Sequence, residues 1–239
     1  MSSNEIQKQR DYYASTAGAY NEMHVQRDIE HDFALAYLVG ILEFLQIESI
    51  LDVGSGTGRA LSYIMNRKPN IKVTGIEPVQ QLREIGYEKG IPQNILVEGD
   101  ALNLEYPDAS VDLVCEFGVL HHIRQPELAV SEMLRVASKA VFISDSNRFG
   151  QGAFFSRLFK TLLASAGLWS FADYIKTRGK GYTFSDGDGV AYSYSVFDNY
   201  DQIRRACSSI HIVNTCDAGT NPFFSSPHVA LLGIKRNPK

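Results

Sequence analysis

The most constraining stretch of the chain is Ile50-Leu51-Asp52-Val53-Gly54-Ser55-Gly56-Thr57-Gly58, where an apolar run passes directly into three alternating glycines. Glycine lets backbone turn sharply and brings amide N–H groups close to a ligand. In an open α/β sheet such a loop lies beyond the carboxyl end of a strand, where ligands sit. A dinucleotide fingerprint would need its third glycine at position 59, which is Arg59, so the GxGxxG pattern fails there. The observed form is GxGxG.

The residues around this loop alternate in a regular way. Short apolar runs at Ser49–Val53, Lys72–Ile76, Ile95–Glu98, Val111–Glu116 and Ala140–Ser144 read as buried strands. Helical patterns fall between them at Arg59–Arg67, Gln80–Lys89 and Glu127–Val136. Strands alternating with helices predict a parallel sheet covered on both faces. Right-handed crossovers then restrict the α/β topology to a Rossmann-like, doubly wound sheet. Two further helices are expected before it, at Glu5–Ala14 and Asp28–Phe44. The second places Phe33, Tyr37, Leu38, Ile41, Leu42 and Leu45 on one face. After Asp145 the pattern changes. Phe154–Ala166 reads as an amphipathic helix with Phe155, Leu158, Phe159, Leu162, Leu163 and Ala166 on one stripe. Arg178–Asp188 is glycine-rich and charged and reads as a loop. Asp201–Cys207 reads as a helix, and His211–Thr215 and Val229–Lys235 as two last strands. The expectation is one domain over residues 1–239, with an N-terminal lid segment at 1–27 and an aromatic, helical cap inserted at 146–198.

Composition sets outer bounds. A net charge of −4 argues against a nucleic-acid partner, which needs a clustered excess of Lys and Arg. Cys115, Cys207 and Cys216 form no CxxC pair and suggest neither a disulfide framework nor a metal site. The polar opening residues lack a signal-like apolar segment. The apolar stretch at 33–47 is interrupted by Glu43 and is too short to span a bilayer. A cytoplasmic chain without a membrane span is expected; its oligomeric state is left open.

The segment LDVGSGTG resembles the first motif of the class I S-adenosylmethionine-dependent methyltransferases, and later motifs follow in the same order. The resemblance implies S-adenosylmethionine as cofactor, held by Asp52, Gly54, Ser55, Gly56 and Gly58. With no pyrophosphate to seat, such a loop can pack against a methionine tail and ribose. The resemblance places a ribose-binding carboxylate at Glu77, followed by Pro78. A carboxylate accepts two hydroxyl hydrogen bonds at once. It places an adenine contact at Asp100, within Gly99-Asp100-Ala101. It adds Glu116 and Phe117 as contacts to the methionine end of the cofactor. Related enzymes often carry a Tyr-Asp or Tyr-Asn pair ahead of the first sheet helix, here Tyr20-Asn21. In such folds the last two strands form an antiparallel hairpin at one edge.

Methyl transfer from a sulfonium is an in-line displacement in which the protein supplies binding and alignment. His121 and His122 are candidate bases beyond the fourth strand; they could equally only shape the loop. Asp145 could orient an acceptor or cap a helix, and Arg148 could bind an anion or be solvated. The aromatic cap suits a hydroxylated metabolite or a glycan or lipid precursor, and it suits simple packing as well. Peripheral membrane contact through the 154–166 stripe is a third reading. Two other functions compete with methyl transfer. One is a catalytically silent S-adenosylmethionine binder, and the other is an NAD-dependent oxidoreductase, against which Arg59 speaks.

Overall fold

A computed structural model describes residues 3–20, 22, 29–216 and 219–235. Asn21 and Asp28 lie outside the described residues. Helices α1 (Ser3–Thr16) and α2 (Ile29–Ile41) precede strand β1 (Ser49–Val53). There follow α3 (Arg59–Arg67), β2 (Lys72–Ile76), α4 (Gln80–Glu88), β3 (Leu96–Val97), β4 (Val111–Phe117), α5 (Pro126–Val136) and β5 (Ala137–Ser146). Next come α6 (Phe154–Ser165), α7 (Trp169–Lys176), β6 (Thr183–Ser185) and β7 (Gly189–Ala191). Helix α8 (Tyr200–Ala206) and strands β8 (Cys207–Asn214) and β9 (His228–Lys235) close the fold.

Among the described residues the main sheet has seven strands in the order β3-β2-β1-β4-β5-β9-β8. The first five pair in parallel, and β9 pairs antiparallel with both β5 and β8. The doubly wound sheet with its antiparallel edge is the expected architecture. From β1 the chain steps out through β2 to β3, then returns to place β4 on the other flank of β1. That reversal opens a crevice beyond the carboxyl ends of β1 and β4.

Because side chains alternate across a strand, each parallel strand feeds two cores. Leu51, Val53, Val114, Val141 and Ile143 pack with Ala129, Val130 and Met133 of α5. Ile50, Leu113, Cys115 and Phe142 face the opposite side, against Leu38 and Leu42 and against Leu61 and Ile64 of α3. A third cluster joins Ala17 to Val79 and Leu82, with Tyr13 and Tyr20 packed on it. This contact seats the N-terminal segment over α4.

Four local expectations need correction. The buried face of α2 is Ala34, Leu35, Leu38 and Val39, while Phe33 is exposed. Strand β5 runs beyond its apolar centre at both ends. Val111 pairs with Ala137, and β9 pairs through Asp145 and Ser146. Part of the expected loop at 178–188 is strand β6, paired with β7 in a separate hairpin. The stripe on α6 does not pack: Phe155 is 80% and Phe159 63% exposed, and α6 buries no residue. Among the described residues no helix is long and apolar enough to cross a membrane.

Candidate functional site

All three glycines of the first loop adopt left-handed backbone, with φ of 73° at Gly54, 55° at Gly56 and 78° at Gly58. This is why they alternate with other residues: L side chains rarely tolerate that region. A Cβ on Gly54 would also come within 2.4 Å of Val119 Cγ2, and one on Gly58 within 2.0 Å of Ile91 Cδ1. The amides of Gly54 and Ser55 both donate to the Ile76 carbonyl at 2.9 Å. The loop therefore folds over the end of β2 and meets Glu77. Glu77 Oε2 accepts from the Gly56 amide at 3.0 Å, and Oε1 from the Val79 amide at 2.9 Å. Burial lifts the Glu77 carboxyl to about 7, against the pull of these amides and of Arg83.

Beyond the loop lies a solvent-open crevice. Its floor and walls include Gly54, Glu77, Pro78, Asp100, Ala101, Phe117 and His122, and Arg10, Tyr13 and Tyr20 close it from the N-terminal side. Asp100 Oδ1 accepts from the Leu102 amide at 2.9 Å, and Arg10 lies 3.4 Å from Oδ2. Acceptors at Glu77 and Asp100, separated by the apolar Ile76, Pro78 and Leu102, match the hydroxyls, the amine and the flat base of an adenosyl group. Small residues at Gly54, Gly99 and Gly118 keep the walls open. The residues present fit that group.

Five expected cofactor residues stand outside this wall. Asp52 is 2% exposed beneath the loop, 3.8 Å from the Cys115 thiol, and burial raises its carboxyl to about 6. Ser55 turns its hydroxyl inward to the Asp52 carbonyl at 3.0 Å. The Gly56 amide is taken by Glu77, and Gly58 leads directly into α3. Glu116 is fully buried, and its oxygens accept from the amides of Ser144 at 3.0 Å and Val119 at 2.9 Å. It braces the ends of β4 and β5, and burial holds its carboxyl well above the usual range.

A short 3-10 turn, Leu120–His122, follows β4 and presents both histidines. His121 Nδ1 lies 2.7 Å from Asp145 Oδ1, and Asp145 Oδ2 also accepts from the His121 amide at 3.2 Å. Asp145 is fully buried and so orients His121 rather than facing a cavity. Burial opposes the charge on both groups, yet their attraction wins. His121 is held well above its usual range, and Asp145 is lowered to about 2. His122 behaves differently: burial and the charge of His121 lower it. Its Nδ1 lies 2.6 Å from the Val190 carbonyl. The Gln9 side-chain nitrogen also lies 3.1 Å from Nδ1, but the carbonyl is closer and only accepts, so Nδ1 carries the proton. Nε2 is then the acceptor, and Tyr13 Oη lies 2.8 Å from it.

Asp188, which sequence reasoning missed, completes this cluster. Its carboxylate lies 3.5 Å from both His121 Nε2 and His122 Nε2. Burial would raise it, but the two imidazoles lower it. The only sequence signal was an Asp-Gly-Asp run inside an apparent loop. Behind the cluster is a second cavity lined by His121, Asp188, Trp169, Lys160, Asp173 and Tyr194. Tyr192 lines both cavities. Arg148 is not free for an anion, because both guanidinium nitrogens of its fork meet the Asp198 carboxylate.

The strand order and the crevice at the β1/β4 reversal define a Rossmann-like protein of methyltransferase topology. Residues 51–143 match the family described as a methyltransferase domain. A demethylmenaquinone methyltransferase of Deinococcus radiodurans is 35% identical over 91 residues, 36% of this chain and 37% of that protein. A phosphatidylethanolamine N-methyltransferase of Cereibacter sphaeroides is 35% identical over 107 residues, 43% and 51% of the two chains. The chain thus spans about a third to a half of these relatives. The fold resembles that of magnesium protoporphyrin IX methyltransferase from Synechocystis with bound SAH. The TM-score is 0.60 at 16% identity, covering 97% of this chain and 100% of the other. A SAM-dependent methyltransferase from Thermotoga maritima gives a TM-score of 0.59 at 19% identity, covering 95% and 99%.

Proposed function

We propose that the chain transfers a methyl group from S-adenosylmethionine to a hydroxylated small molecule. The observation that carries this reading is the meeting of two cavities at the histidine pair, with Tyr192 in the wall of each. The cofactor, when bound, supplies an electrophilic methyl on a sulfonium. On the crevice side Glu77 accepts the ribose hydroxyls, Asp100 faces the adenine amine, and Phe117 and Tyr20 flank the methionine end. On the other side Trp169, Tyr182 and Tyr194 offer ring faces, and Lys160 and Asp173 offer polar ends, a mixture suited to a polyhydroxylated ligand. His122, neutral and with Nε2 toward the crevice, takes the acceptor proton as the new bond forms. His121 stays charged between Asp145 and Asp188 and fixes the turn. Alignment of acceptor and methyl supplies roughly 7–11 kcal/mol of the barrier reduction.

In this reading the chain works as one domain, with 1–27 as a lid and 146–198 as the acceptor cap. The free thiols at Cys115, Cys207 and Cys216 suit a reducing compartment, and we assign the cytoplasm. Calorimetry with S-adenosylmethionine, S-adenosylhomocysteine and NAD tests the cofactor; both sulfur compounds bind and NAD does not. Binding of NAD alone ends the proposal. Transfer of labelled methyl into the small-molecule fraction of a cell extract tests the acceptor. Label confined to RNA or protein rejects the acceptor class.

A further inference from the structure

Two imidazoles and a carboxylate converge between the two cavities with geometry that methyl transfer does not require. One ligating atom from each of His121, His122 and Asp188 lies within 4.8 Å of the other two. Each carboxylate oxygen of Asp188 faces one imidazole: Oδ2 lies 3.5 Å from His121 Nε2, and Oδ1 lies 3.5 Å from His122 Nε2. That is long for a hydrogen bond, whose usual range ends at about 3.2 Å. It is close to the roughly 3.4 Å between two ligands held about 2.0–2.1 Å from one tetrahedral ion, so each oxygen stands where it can share an ion with the imidazole it faces. We propose that His121, His122 and Asp188 form a binding site for a divalent transition-metal ion.

The partners on the far side of each ring support this assignment. A metal-ligating histidine ordinarily donates its other N–H to a carboxylate or a backbone carbonyl, which fixes the tautomer and aims the ligating nitrogen. His121 Nδ1 meets Asp145 at 2.7 Å, and His122 Nδ1 meets the Val190 carbonyl at 2.6 Å. Both Nε2 atoms are thereby aimed into the same space; a bound ion displaces the second proton of His121 and takes the lone pair that His122 offers as base in the ion-free chain. Tyr13, which lies 2.8 Å from His122 Nε2, yields that direction to the ion. Two nitrogens and one carboxylate oxygen favour zinc, iron or cobalt over calcium or magnesium. Three protein ligands leave a position open. It faces the second cavity, which His121 and Asp188 line, so an oxygen of a bound molecule can complete the shell. Asp188 stands immediately before β7, while the histidines follow β4. The ion would therefore tie the cap hairpin to the sheet.

The test uses the whole chain, stripped with a chelator and titrated with Zn²⁺ and Co²⁺, with no cofactor present. Failure of methyl transfer would not affect its outcome. One equivalent of Co²⁺ binds, with the intense visible bands of a four- or five-coordinate site, and Zn²⁺ displaces it. Asp188→Ala, a change on a half-exposed hairpin, abolishes those bands while circular dichroism stays unchanged. Asp145→Asn leaves the three ligands in place and weakens metal binding by about 10–100-fold. Weak, pale-pink octahedral cobalt overturns the proposal. So do thiolate charge-transfer bands, which would place the ion on cysteines, and undiminished binding in the Asp188→Ala variant.

Discussion

Glu77 carries the sharpest consequences at the level of single residues. It is 6% exposed, and each oxygen already accepts one amide, leaving lone pairs for ligand hydroxyls. Glu77→Ala should cost about 1–3 kcal/mol of S-adenosylmethionine affinity, the range for hydrogen bonds to a charged group, as read by calorimetry. Its carboxyl is raised to about 7 in the folded chain. A raised carboxyl favours the folded state below its ordinary value of 4.5, and that contribution is lost as pH climbs through 7. Ligand hydroxyls donate best to the ionised form. Affinity should therefore be about tenfold tighter at pH 8 than at pH 6, and Glu77→Gln should flatten the slope. His122→Ala should lower turnover by about 10²–10⁴-fold, the usual worth of a positioned base, in a single-turnover assay with the acceptor. Much of the crevice wall was legible in the sequence, because left-handed loops leave glycines, and Glu77 stands out as a carboxylate directly after an apolar strand. Glu116, fully buried and holding two amides, shows where residue type runs out. A carboxylate at a strand end can as readily accept two buried amides as face a ligand, and residue type alone does not separate these roles.

Among the elements, the join between β5 and the cap depends on Asn147. Its amide nitrogen donates to the carbonyls of Pro222, Phe223 and Ser226, and its Oδ1 accepts from the Phe149 amide and the Ser195 hydroxyl. All of these cluster around a fully buried side chain. Asn147→Ala should lower stability by about 1–3 kcal/mol or more, since several buried groups lose their partner together. Asn147→Asp should do comparable harm, because three carbonyls would face an acceptor; denaturant midpoints measure both. The core strands could be read from their apolar runs, since burial on both faces demands such residues. Hairpin β6–β7 could not. Thr183, Phe184 and Ser185 are all exposed, and backbone pairing rather than a buried face makes them a strand. Asp188, in the turn just before that hairpin's second strand, stayed hidden for the same reason.

Across the whole molecule, the cap leaves an unusual amount of apolar surface uncovered. Phe155, Phe159 and Leu162 of α6 and Phe171 and Ile175 of α7 are each more than half exposed. Periodicity announced an amphipathic helix, but a period says nothing about what covers its apolar side. The folded protein should bind an apolar fluorescent dye. Phe155→Ser with Phe159→Ser should remove most of that signal while shifting stability by no more than about 0.5 kcal/mol per site, as exposed positions do. A large loss of stability would mean that the face is packed in solution. The N-terminal helix has a different part. Gln9 holds the amide of Val190, Tyr12 the carbonyl of Asp186, and Glu5 both Arg124 and Tyr192. Helix α1 is thus latched to the hairpin and the histidine turn across the mouth of the crevice. A guest beneath such a latch departs only when the latch lifts. Its dwell time is then governed by bonds it never touches, and spent cofactor will linger in proportion to their strength.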